Sequence, residues 1–290
     1  MADHDKDVDH VTGTETTGHE WDGIKELNTP LPRWWLVVFY LCIAWAIGYW
    51  IVMPAWPGLT GYSHGLLNHS QRDDVTAQVA ALKEARRDKE HTLRTATLQQ
   101  IQSNPDLQQF ALAEGRTLFG DNCAACHGSG GQGAHGYPNL NDDVWLWGGK
   151  LQDIQHTITV GVRSTSPDTR QSQMPAFGRD SMLKPEQVED LTEYVVHLSG
   201  RPADAGAVKR ATKLFADNCA MCHGSDGKGN RTMGTPNLTD NEWLYGPTRE
   251  NIHDQIWNGR GGVMPTWGGR LSPEEIKALA VYVHSLGGGE

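Results

Sequence analysis

The sequence predicts an all-α protein: one N-terminal membrane-spanning helix followed by two tandem helical domains. Three observations predict it. A long run without charge stands near the N-terminus, the remainder carries an internal repeat, and each repeat begins and ends with helix-like stretches joined by Gly-, Asn- and Pro-rich loops. With 290 residues the length suits about two domains.

The first segment, 1–32, is polar and acidic. The apolar run from Trp34 to Trp56, WWLVVFYLCIAWAIGYWIVMPAW, contains no charged side chain. As a helix it would be about 34 Å long, enough to cross a hydrocarbon core of about 30 Å. Trp34, Trp35 and Trp56 stand where aromatic belts form, and Pro30, Pro32, Pro54 and Pro57 frame the run. The predicted spanning segment is 33–57. It begins too late and runs too long for a cleaved leader. Lys25 and Arg33 flank the N-terminal side of the apolar run, a weak positive-inside signal for a cytoplasmic N-terminus. Cys42, alone in this run, reads as a small apolar filler.

Residues 58–108 read as a linker. Gly58, Gly61 and Gly65 suit a flexible turn, and Val75–Ile101 is dense in good helix formers. A mostly solvated helix is expected there, ended by Pro105.

The repeat follows. One copy contains LFGDNCAACHGSGGQG, PNL, WLWGG, MPAFG and LTEYVVHLSG. The other contains LFADNCAMCHGSDGKG, PNL, WLYGP, MPTWGG and LAVYVHSLGG. The order of motifs is the same, which predicts two similar domains, 109–200 and 201–290, joined near Gly200–Gly206. The last helix of the second copy has a cap at Ser272, Pro273 at its first position, Glu275 to complete a capping box and Gly287 as a stop. The first copy has Lys184 in place of Ser272, a weaker cap.

Four of the five cysteines fall in Cys123-Ala124-Ala125-Cys126-His127 and Cys219-Ala220-Met221-Cys222-His223. This C-x-x-C-H spacing is that of c-type haem attachment. Residues three and four apart share a helix face, so two thiols can meet two vinyl groups while the adjacent histidine meets the iron. A zinc site or a redox dithiol uses C-x-x-C as well. The histidine after each pair and a Met-Pro downstream favour haem. Met174 and Met264 hold equivalent places and are the expected second axial ligands, a pairing with histidine that raises the potential of an electron carrier. Met233 is the rival in the second copy. Met182, Met221, His156, His197, His253 and His284 read as packing or surface residues, and His135 lies near a motif. Which methionine serves which haem stays open, because two pseudo-symmetric domains packed together can exchange ligands. Haem attachment takes place on the outer side of the bacterial inner membrane, so a periplasmic C-terminal part is expected.

The net charge of −10 leaves no basic footprint for nucleic acid. A dihaem peroxidase or a haem-based gas sensor needs an open iron position, and each copy offers a methionine to fill it.

Each repeat resembles a class I cytochrome c domain. In that family a proline carbonyl orients the axial histidine, a role the resemblance gives to Pro138 and Pro236. The whole chain, through GHEWDGIKELNTPLPRWWL, GYPNLNDDVWLWGG, MPAFG, GRPAD and MPTWGGRL, resembles the dihaem subunit III (CcoP or FixP family) of cbb(3)-type cytochrome c oxidase. The resemblance implies two covalent haems c and an electron-transfer subunit that is no enzyme by itself. It also implies a donor cytochrome c, a monohaem cytochrome c subunit, and a catalytic haem b/copper subunit that reduces oxygen and pumps protons. A membrane-tethered dihaem carrier of another respiratory complex is the alternative.

Overall fold

The computed structural model describes residues 7–290 of the chain. Of the N-terminal segment 1–32, residues 1–6 lie outside the described part. The chain forms two compact units, Met1–Lys83 and Glu84–Glu290.

In the first unit, β1 (Thr16–Trp21) and β2 (Ile24–Leu27) pair antiparallel, with Trp21 opposite Ile24. The turn is Asp22-Gly23, both at positive φ (50° and 84°). Positive φ at both central positions is the type I′ turn that Asp-Gly favours, and its twist matches paired strands. This hairpin adds to the helical architecture expected of the chain.

Helix α1 (Arg33–Val52) follows Pro32 and has no buried residue. It is long and apolar enough to cross a membrane. Its last carbonyls do not go unsatisfied. The amides of Leu66 and Leu67 donate to Ile51 and Val52, each at 3.0 Å. Gly65 permits this return, since a Cβ there would stand 2.4 Å from the Val52 oxygen.

Helix α2 (Gln71–Thr95) runs from the first unit into the second and is polar on nearly all sides. It stops at Thr95, before Pro105. Thr97 and Gln100 form a capping box that opens α3 (Leu98–Ser103), and Asn104 then caps α4 (Pro105–Asn122). Pro105 thus begins a helix instead of ending one. At the first helical position its missing N–H costs nothing. The expected linker also enters the core: Leu93, Leu98, Ile101 and Leu107 are buried with Ala111, Leu151, Ala278 and Val281.

The remaining helices are α5 (Ala124–His127), α6 (Leu151–Val160), α7 (Pro185–Leu198), α8 (Ala205–Asn218), α9 (Ala220–His223), α10 (Arg249–Asn258) and α11 (Pro273–His284). They pack out of chain order. Helix α4 of the first repeat lies against α11 of the second, while α7 of the first lies against α8 of the second. Two aromatic pairs mark the exchange. Phe119 meets Tyr282 (ring centroids 5.4 Å apart) and Phe215 meets Tyr194 (4.9 Å). Both phenylalanines are fully buried. The α4–α11 crossing is close because Gly115 has no Cβ; one would stand 2.4 Å from the Ala278 oxygen.

Candidate haem sites

The two C-x-x-C-H motifs adopt one local structure. Each first cysteine, Cys123 or Cys219, terminates a long helix, and a single helical turn carries the rest of the motif. The amides of His127 and His223 donate to the Cys123 and Cys219 carbonyls, at 3.0 and 2.9 Å. This turn brings the two sulfurs and the imidazole to one side.

The histidines are held by the predicted prolines. Nδ1 of His127 lies 3.0 Å from the Pro138 carbonyl, and Nδ1 of His223 lies 3.1 Å from that of Pro236. A carbonyl can only accept, so Nδ1 carries the proton and Nε2 is the ligand-ready nitrogen. Burial lowers both imidazole pKa values, against the smaller opposing effect of the proline carbonyls, and this favours the neutral form that binds iron. The loops behind them are equally matched. Gly133 donates to the His127 carbonyl and Gly229 to that of His223, both at 2.7 Å. Both glycines have positive φ, and a Cβ on either would strike the loop carrying the proline.

As thiols, Cys123 and Cys219 are pushed up to about 11, chiefly by burial and then by the neighbouring Cys126 or Cys222. Such thiols are poor thiolates at neutral pH, which tells against a reactive dithiol. No group of three or more His, Cys, Asp or Glu side chains fit for a metal ion occurs among the described residues.

The methionines settle across the repeats. Met174 lines a cavity of about 210 Å³ together with Cys219, Cys222, His223 and Pro236. Met264 packs with Cys123, Leu140 and Trp145 around the Phe119 core. The backbone fixes both. Met264 exchanges two 3.0 Å hydrogen bonds with Val162, just past α6. Gly161 ends α6 and Gly259 ends α10, each at positive φ. A Cβ on Gly161 would stand 2.5 Å from the Met264 oxygen, and one on Gly259 2.4 Å from the Met174 oxygen. Each loop therefore presses on the helix of the other repeat. Two thiols, an imidazole freed at Nε2 and a thioether form a donor set that suits haem c.

The other candidates fall outside these constellations. Met233 does not line the Met174 cavity. Met182 and Met221 are exposed. His135 packs edge-on to Tyr245, His253 stacks on Trp257, and His284 meets the Glu290 carbonyl.

Family models match three segments. Residues 13–60 match the N-terminal domain of cytochrome oxidase-cbb3, FixP. Residues 112–199 match cytochrome c, and residues 206–283 match cytochrome c oxidase, cbb3-type, subunit III. The chain is 57% identical to a Cbb3-type cytochrome c oxidase subunit FixP of Bradyrhizobium sp. (strain ORS 278), over 100% of both chains. It is 54% identical to the FixP subunit of Bradyrhizobium diazoefficiens and 47% identical to a CcoP subunit of Azospirillum brasilense, again over 100% of each chain. The chain belongs to the FixP/CcoP family of cbb3-type cytochrome c oxidase subunits.

As a FixP/CcoP-family subunit it is a membrane-anchored cytochrome c that transfers electrons within a cbb3 oxidase. Its cytochrome c domains bind haem c covalently. Sequence reasoning missed three kinds of residue in the FixP/CcoP sites. Gly161 and Gly259 were legible as helix stops but not as seats for a methionine loop. Trp145 and its counterpart Trp243 stood in the WLWGG and WLYGP motifs without an assigned role; they pack beside Cys123 and Cys219. Gln255, on the Met174 cavity, left no signal in the repeat.

Proposed function

We propose that the chain carries two haems c, one attached at Cys123 and Cys126 and the other at Cys219 and Cys222. The first takes His127 and Met264 as axial ligands, the second His223 and Met174. The placement of Met174 in one cavity with Cys219, Cys222 and His223, and of Met264 on the same hydrophobic cluster as Cys123, carries this reading. Haem c supplies reversible one-electron exchange at iron. The chain's own residues fix its surroundings: Pro138 and Pro236 orient the histidines, and the Val162, Gly161 and Gly259 contacts seat the methionines. With a thioether and an imidazole available to each haem, both sites would suit electron transfer, and the subunit is no enzyme by itself.

In this reading the repeat-bearing segments 109–200 and 201–290 are periplasmic, α1 crosses the bacterial inner membrane once, and residues 1–32 are cytoplasmic. Electrons enter from a donor cytochrome c and leave toward the monohaem cytochrome c subunit and the catalytic haem b/copper subunit, where oxygen is reduced and protons are pumped. The test is the haem and copper content of the complex purified from its native membrane in mild detergent. Copurifying haem b and copper, with more than two haems c for each copy of this chain, is the expected result. Haem c alone, at two per chain, would point to a free-standing dihaem carrier.

A further inference from the structure

The two methionine seats differ in one hydrogen bond. Gln255, on α10, lines the Met174 cavity, and its Nε2 lies 3.7 Å from Met174 Sδ. The orientation of this amide is determined, because the same Nε2 donates to the Arg260 carbonyl at 2.9 Å and a carbonyl cannot accept from Oε1. An amide nitrogen has two protons, so one serves Arg260 and the second is available to the sulfur. A thioether has two lone pairs, so it can accept this bond and bind iron together.

The equivalent residue of α6 is Thr157, aligned by Ile154 with Ile252 and by Gly161 with Gly259. Its hydroxyl donates to the Asp153 carbonyl of its own helix at 2.8 Å. Among the described residues no side-chain donor reaches the Met264 sulfur.

We propose that Gln255 is a positioning residue that raises the potential of the Met174-ligated haem by donating a hydrogen bond to the Met174 thioether, a bond the Met264 seat lacks among the described residues. This rests on the axial assignments above. A hydrogen bond withdraws electron density from the sulfur, weakens its donation to the ferric iron more than to the ferrous, and so favours the reduced state. Hydrogen bonding around a ligand is one of the few levers a protein has on such a potential.

The test is a spectroelectrochemical titration of the full-length protein, comparing wild type, Gln255→Leu and Met174→Leu. Leucine keeps the volume and loses the donor. The absorption band from sulfur-to-iron charge transfer is the second readout. In Gln255→Leu the band is expected to persist for both haems. One midpoint potential should fall, the same one that Met174→Leu moves. The expected size is about a threefold to tenfold shift in the oxidised-to-reduced ratio, up to about 59 mV for a one-electron couple. Unchanged potentials with the band retained would overturn the proposal while leaving the axial reading intact. A Met174→Leu protein with wild-type band and potentials would overturn both. If Gln255→Leu loses the band, Gln255→Asn decides, because it keeps the amide but draws it back from the sulfur. A lowered potential with the band present supports tuning; loss of the band there too shows a purely structural role.

Discussion

The two halves that carry the C-x-x-C-H motifs are built to one plan and tied down differently. In the first, α11 closes over α4, and a complete Ser272–Glu275 capping box starts that closing helix. In the second, α7 closes over α8, and its start is half a box: Gln187 accepts from the Lys184 amide at 2.9 Å, but a lysine side chain has nothing to accept with in return. The second half makes up for this at its surface. Glu193 of α7 accepts from Arg249 at the start of α10 (2.6 Å) and from the Asp204 amide (2.8 Å). The equivalent residue of α11 is Val281, which is buried. One half is held by apolar packing where the other uses an ion pair, so a duplicated framework tolerates different fastenings as long as the aromatic pair and the methionine seat remain.

The comparison can be broken most severely at the attachment sites. In Cys219→Ala with Cys222→Ala, one of the two haems should be lost, halving the haem-to-protein ratio in a pyridine haemochrome assay. An unchanged ratio would remove the second site from consideration. The exchange of ligands is tested in that same background, where only the haem at Cys123 and Cys126 remains. Met264→Leu should then abolish the sulfur-to-iron band and lower the remaining potential, while Met174→Leu should leave both alone. The opposite pattern would mean that each repeat ligates its own haem.

Core substitutions come next in size. Phe119→Ala and Phe215→Ala should each cost about 3–5 kcal/mol in chemical denaturation, since both rings are fully buried. The sharper measurement is a double-mutant cycle. Phe119 with Tyr282 should show coupling of about 0.5–1.5 kcal/mol, and Phe119 with Tyr194, its partner in a chain-order domain, close to none.

The smallest effect concerns Glu193. The Arg249 hydrogen bond, and after it the Asp204 amide, hold its carboxyl below the usual glutamate range. A depressed folded-state pKa contributes stability that is fully present above the unfolded value of about 4.3 and is lost as pH falls through the folded value. Glu193→Gln should therefore cost up to about 1 kcal/mol at pH 7, and the gap to wild type should close on acidification. A constant gap from pH 7 to 3 would show that the ion pair carries no such stability.

Much of this protein could be read from residue order. The span of α1 follows from an uncharged run with tryptophans near its ends, the two C-x-x-C-H motifs and the two Met-Pro loops are legible from spacing and repetition, and the role of Pro138 and Pro236 came from the resemblance to class I cytochrome c domains. The hairpin was present as Asp-Gly at 22–23 but is overshadowed by the acidic, polar composition around it. Pro105 was misplaced because proline is equally at home after one helix and at the start of the next. The solvated linker conceals its contribution to the core: in α2 only Leu93 is buried, one residue in a long polar helix.

The sequence by itself determined two C-x-x-C-H motifs, two Met-Pro loops and one apolar helix long enough to span a membrane, because each rests on a local pattern that needs no neighbour. Only the tertiary structure decided which pieces join. The connection from α7 to α8 runs through Ser199–Asp204, so short that the two helices become an antiparallel pair. Once α8 occupies the face of α7, α4 is left to bury its apolar side against α11. The two helices of each repeat thereby part company, and the methionine loops cross over: Met174 shares a cavity with Cys219, Cys222 and His223, and Met264 shares a hydrophobic cluster with Cys123. Nothing in either repeat alone encodes that exchange, because the same Phe and Tyr residues occur in both copies and would fit either way.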